Sequence, residues 1–144
     1  MARRMRRSSS TRSVRGSVMV ETVFTIGLML FIVFAGLEIS WAMYKKAEVS
    51  NAARVVVRAA SLADATAGSV QQVAIRQMEI AGFDASEWQL ELQPSDPSGV
   101  AGGDPISAEI SVDYGSVSLG KFGGWIPVPD ELSSIAVMLK EGAN

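Results

Sequence analysis

Hydrophobic positions follow three rhythms along this chain. From Ser17 to Met43 they run almost unbroken, with Glu21 and Glu38 as the only charges. A bilayer core takes about 20 apolar residues as helix, so this stretch is long enough to span one. Val33-Phe34-Ala35 before Gly36 offers a small-residue cleavage site. The run nevertheless exceeds the roughly 7–15 residue core of a removable signal peptide, and a retained helix is the expectation. Beyond Lys45 the rhythm changes to steps of three and four, through Val49, Ala52, Ala53, Val56, Ala60 and Ala63. No Gly or Pro interrupts Lys45 to Leu62, which predicts one continuous helix of about 45 residues. Gly68 and the polar run over 65–69 should end it. A second helix follows over 69–81 through Val70, Val73, Ala74, Gln77 and Met78, closed by Gly82.

The third rhythm has period two. Trp88, Leu90 and Leu92 alternate with polar residues, as do Ile106, Ala108, Ile110, Val112 and Tyr114. Ile135, Val137 and Leu139 do the same near the end of the chain. Each set reads as the apolar face of a strand, and all three faces are expected to pack on the helices as one antiparallel sheet. The predicted fold is α+β. It has a long N-terminal transmembrane helix, a small outer domain with a second helix, and a three-stranded sheet. The corresponding division is a basic leader at 1–16, a membrane span at 17–43 and an outer domain at 44–144.

Charge sharpens that division. Residues 1–16 carry six Arg and no acid, whereas residues 17–144 carry seven Lys or Arg against fifteen Asp or Glu. The six Arg before the span outweigh Lys45, Lys46, Arg54 and Arg58 after it, so the positive-inside rule places the N-terminus in the cytoplasm and the domain outside. Nucleic-acid binding needs a basic patch on a folded face. Here the Arg residues crowd against an apolar helix, and no nucleic-acid partner is expected.

Composition also narrows the chemistry. Neither Cys nor His occurs, so thiolate chemistry, disulfides, the commonest general base and the commonest metal ligand are all missing. A Ser nucleophile would need Lys as its base, and Lys45 and Lys46 lie at the end of the apolar span. Glu87 and Glu91 are four apart on a predicted strand, sharing a wetted face. Gly102-Gly103 and Gly123-Gly124 lack the Lys and helix of a phosphate loop. No enzyme, metal or cofactor is expected. Asp96 and Asp104 in the 94–105 loop have oxygens for Ca²⁺, but no EF-hand spacing, and turn chemistry accounts for Asp among Gly and Pro. The 115–132 stretch holds Leu119, Phe122, Trp125, Ile126 and Val128 without periodicity. It either folds back to cap the sheet or, through Phe122 and Trp125, docks another subunit.

Glu21 needs an explanation, since a charge in an apolar span costs up to about 3 kcal/mol at the bilayer centre and less toward the interface. One account is an interfacial carboxylate that snorkels to the headgroups beside Arg15. Another comes from the surrounding residues. Gly16, then Ser17-Val18-Met19-Val20, then Glu21, ahead of a membrane-length helix, resembles the processing site of type IV prepilins. Glu38, Trp41, Tyr44, Asn51-Ala52-Ala53-Arg54 and Arg58-Ala59-Ala60 are similar to the TadE-like minor pseudopilins of tight-adherence (Tad/Flp) pili. Val112-Asp113-Tyr114 and the closing Met138-Leu139-Lys140-Glu141 extend the likeness. Thr22 stands where that family usually has Phe or Tyr.

The resemblance implies cleavage between Gly16 and Ser17 by a prepilin peptidase. Glu21 then becomes the fifth residue and pairs with the new Ser17 amine, within one chain or between neighbours. Implied partners are other pilins or pseudopilins, the pilus assembly platform and the lipid of a bacterial inner membrane. The alternative is an uncleaved, signal-anchored adaptor whose outer domain binds a partner. It has no use for the Gly16, Ser17, Glu21 spacing.

Overall fold

The structure, a computed structural model, describes residues 12–119 and 129–142. It divides into two units between Leu37 and Glu38. Helix α1 covers Arg12–Ser61, 50 residues, and so begins before the predicted span. In the first unit its large apolar side chains are exposed. Phe24 is 73% exposed and Phe34 is 50% exposed. The Thr22 and Thr25 hydroxyls donate to the carbonyls of Val18 and Glu21, both at 2.8 Å. Both polar groups are thereby satisfied inside the helix, which suits an apolar surround.

The second unit is a helical layer on one face of a sheet. Helix α2 is Ala67–Ile80, and strands β1 (Trp88–Gln93), β2 (Pro105–Asp113) and β3 (Glu131–Leu139) pair antiparallel in that order. A short helix α3 (Tyr114–Val117) lies between β2 and β3. From α1 the core takes Val49, Ala52, Ala53, Val56, Val57 and Ala60, and from α2 Val70, Ala74 and Met78. Ala at so many contact positions lets the α1 backbone come close to the residues it packs on. Ala63, expected on this face, is exposed because the helix ends at Ser61.

Neither Gly68 nor the polar run stops α1. Its last carbonyls are taken from across the domain instead. The Lys140 ammonium donates to Leu62 O at 2.6 Å and Ala60 O at 3.4 Å, and Glu141 N–H donates to Ser61 O at 2.7 Å. A cation at a helix C-terminus also complements the helix dipole. Gly68 lies inside α2, whose N-cap is Thr66. There the Thr66 hydroxyl accepts from Ser69 N–H while Ser69 Oγ accepts from Thr66 N–H, a reciprocal capping box. At the other end of α2, Gly82 has φ +74°, and Phe83 N–H bonds Met78 O while Gly82 N–H bonds Glu79 O. That Schellman closure needs the left-handed conformation glycine adopts without strain.

Three expectations about the sheet need correction. Tyr114 is not the end of β2. The Asp113 carboxylate accepts from Gly115 N–H at 3.1 Å and turns the chain into α3, with Tyr114 as its first residue. Glu87 precedes β1 rather than sharing its wetted face, and its carboxylate accepts from Asp84 N–H at 2.8 Å to close the turn.

The third correction is larger. Ile135, Val137 and Leu139 are 61%, 63% and 62% exposed, on the face away from the helices. β3 starts four residues earlier than expected, and its inward set is Leu132, Ser134, Ala136 and Met138. The register decides this, since Leu132 pairs with buried Val112 and Ala136 with buried Ala108. A one-residue change of phase moves a whole side-chain set to the other face. Replacing Ile110, fully buried on β2, with Ala should therefore cost about 2–5 kcal/mol. Ile135→Ala should stay within about 0.5 kcal/mol. Denaturant unfolding of the two variants measures the difference, and equal losses would place Ile135 in the core.

Candidate assembly site

Gly16, Ser17 and Glu21 all lie on α1, and all three are exposed. Ser17 and Glu21 are one turn apart, about 6 Å of rise along one face. Among the described residues, a Cβ added at Gly16 would meet nothing within 4 Å beyond its own helix backbone and chain neighbours. No side chain of the described residues bonds the Glu21 carboxylate; only its backbone carbonyl is engaged, by Thr25. Phe122 and Trp125 lie outside the described residues.

A second cluster, which the sequence reading marked only in part, sits where α1 enters the domain. Glu38, Trp41 and Lys45 recur at steps of three and four, so they share one helix face. The Glu38 carboxylate is buried and accepts from the Tyr114 hydroxyl at 2.7 Å. The Trp41 indole N–H donates to Val117 O at 2.8 Å, tying the same face to α3. The Lys45 ammonium donates to Ala81 O at 3.0 Å and sits 4.2 Å from the Phe83 ring centroid and 5.4 Å from that of Trp41. Ala81 is the C-cap of α2, where the dipole is negative, and cation–π attraction adds to that. Lys45, read from sequence as a topological charge, is buried structure.

Every polar group in this clamp has a partner, which the cost of burial requires. Burial pushes the Tyr114 phenol above its usual range, and the hydrogen bond and negative charge of Glu38 add to the shift. Glu38 was legible as an anomaly in an apolar run. Its partner, 76 residues downstream, was not. The clue was Tyr114 on a strand end, which periodicity assigned to packing alone. In the 94–105 loop, Asp96 accepts from Ser98 N–H at 3.0 Å and caps a single 3-10 turn. The Asp104 backbone pairs with Lys140.

Tyr114→Phe should leave the Glu38 carboxylate buried without its donor and cost about 1–3 kcal/mol. Glu38→Leu combined with Tyr114→Phe should recover much of that loss. The raised phenol pKa also has a pH consequence. Its stabilisation is complete below the unfolded value of about 10 and is lost as the pH rises beyond it. Tryptophan-monitored unfolding in detergent at neutral and alkaline pH tests both statements. A double variant no better than Tyr114→Phe would remove the pairing from the account.

Comparison with protein families matches residues 16–58 to the model described as TadE, TadE-like protein. No curated protein and no solved structure matches the chain. The matched segment begins at the Gly16 junction, contains Glu21 and the clamp residues Glu38, Trp41 and Lys45, and ends at Arg58. The sheet lies beyond it. Over residues 16–58, the long helix from the Gly16 junction through the clamp, this chain is similar to the TadE-like proteins.

Proposed function

We propose that this chain is a minor pseudopilin, a structural subunit required to assemble a tight-adherence pilus and not an enzyme. A prepilin peptidase cuts it between Gly16 and Ser17, removing the six Arg of the tail. The mature N-terminus is then Ser17, with Glu21 fifth. The helix stays in the inner membrane with the tail side cytoplasmic and the domain outside, until the subunit joins other pilins or pseudopilins at the assembly platform. The observation that carries this reading is Glu21 itself. It is an exposed carboxylate with no side-chain partner among the described residues, one turn from an exposed Gly–Ser junction, on a helix long and apolar enough to cross a membrane.

The physical logic is one of paired desolvation. An isolated ammonium or carboxylate is costly in lipid, and each offsets the other's cost when they meet. Before cutting, Ser17 N is an amide and has no charge to offer. Cutting creates the ammonium, so processing and the capacity to pair Glu21 arise together. Pairing with a neighbour's Ser17 would fix the axial step between adjacent helices, and exposed apolar side chains such as Phe24, Phe31 and Phe34 would pack along the rest of that contact.

Glu21→Ala should leave the protein made, cut and membrane-inserted, because loss of a carboxylate eases insertion. Crosslinking to other pilus subunits and recovery in the sheared surface fraction should both fall. Assembly equal to wild type would reduce Glu21 to a snorkelling interfacial residue. Failure to insert or accumulate would make it a folding residue.

A further inference from the structure

The outer face of the sheet has a feature that folding alone does not explain. Its middle row is Glu91, Glu109 and Ile135, directly opposite one another across β1, β2 and β3. Two carboxylates side by side on adjacent strands repel, and neither has an ion-pair partner among the described residues. Beside them runs the exposed aliphatic stripe of Ile135, Val137 and Leu139 on the edge strand. The opposite layer of the same unit presents the reverse charge. Arg54 and Arg58, one turn apart on the exposed face of α1, flank Val55 and follow exposed Asn51.

We infer that these two faces dock on each other between copies of this chain, the sheet face of one copy against the α1 face of the next. Arg54 and Arg58 would neutralise Glu91 and Glu109, while the aliphatic stripe covers Val55 and the Arg stems. The charges decide the geometry. A two-fold, sheet-on-sheet contact would bury the same aliphatic stripe but set Glu91 and Glu109 of one copy against those of the other. A front-to-back contact pairs opposite signs instead. It also uses two different surfaces, so it repeats in one direction rather than closing on itself. Copies anchored side by side with the same orientation can make it without turning over. The inference rests on the assembly reading above and supplies the contact that reading lacks outside the membrane.

The chain has no Cys, so introduced thiols are unique. Full-length chains bearing Asn51→Cys are co-expressed with chains bearing Gln89→Cys or Gln93→Cys, and membranes are treated with a short bis-maleimide. The mixed population should give the helix–sheet product, and the sheet-thiol chains alone should not dimerise. E91R/E109R in the sheet-thiol chain should reduce the product by about tenfold or more. R54E/R58E in the Asn51→Cys chain should restore it. Unchanged melting of each variant excludes misfolding as the cause. Sheet–sheet products, products formed only with a different subunit, or indifference to charge reversal would overturn the proposal. The two readings fail separately. Absence of the product from chains that begin at Ser17 and reach the sheared fraction would remove this contact only. Charge-dependent product from chains that keep their tail would remove the pilus reading only.

Discussion

The hydrogen bond from Tyr114 to Glu38 is the constraint around which the domain is arranged. Helix α1 runs without a break from an apolar stretch long enough to cross a membrane into a folded domain, and Glu38 is the first of its described residues to be buried. Upstream, its large apolar side chains from Val18 to Leu37 are exposed; from Glu38 onward, one face is buried. A buried carboxylate is tolerated only where a donor meets it, and Tyr114 provides one at 2.7 Å. To bring Tyr114 there, β2 must end at Asp113 and the chain must turn into α3. That turn in turn places Val117 O in reach of Trp41. One polar contact thus sets the end of a strand, a short helix and the seat of an indole.

The same device recurs along α1. Lys45 closes on the end of α2, and Lys140, arriving from β3, closes on the end of α1 itself. In both cases a buried ammonium sits on helix carbonyls that would otherwise lack partners. Long-range lysines therefore do much of the work that local caps do in shorter helices, and they join helices to sheet where the Ala-rich contact has little apolar area per residue.

What could be read from the sequence, and what could not, follows from this. The long helix, the second helix and all three strands announce themselves through local periodicity, and Glu38 through its charge in an apolar run, whereas the Gly16 spacing stands out only through the resemblance. The partners of Glu38, Lys45 and Lys140 lie 36 to 80 residues away, and no local pattern encodes them. β3 was misread in phase for a related reason. Ile135, Val137 and Leu139 are more apolar than Ser134 and Ala136, so hydropathy alone chooses the wrong face. The correct phase comes from pairing with β2, which sets Ala136 opposite buried Ala108. Strong hydrophobes left outside on β3, like the exposed Glu21 in its apolar run, are what the proposed contacts would cover.

The central claim is that this helix is made to be cut and then paired, and the N-terminal residue of the protein recovered from the membranes of its own cell tests it most directly. The account predicts Ser17, with the six-Arg tail gone and Glu21 fifth in the mature chain. A chain that still begins at Met1 in cells with an active prepilin peptidase would contradict it, leaving an anchored adaptor in place of a pilus subunit.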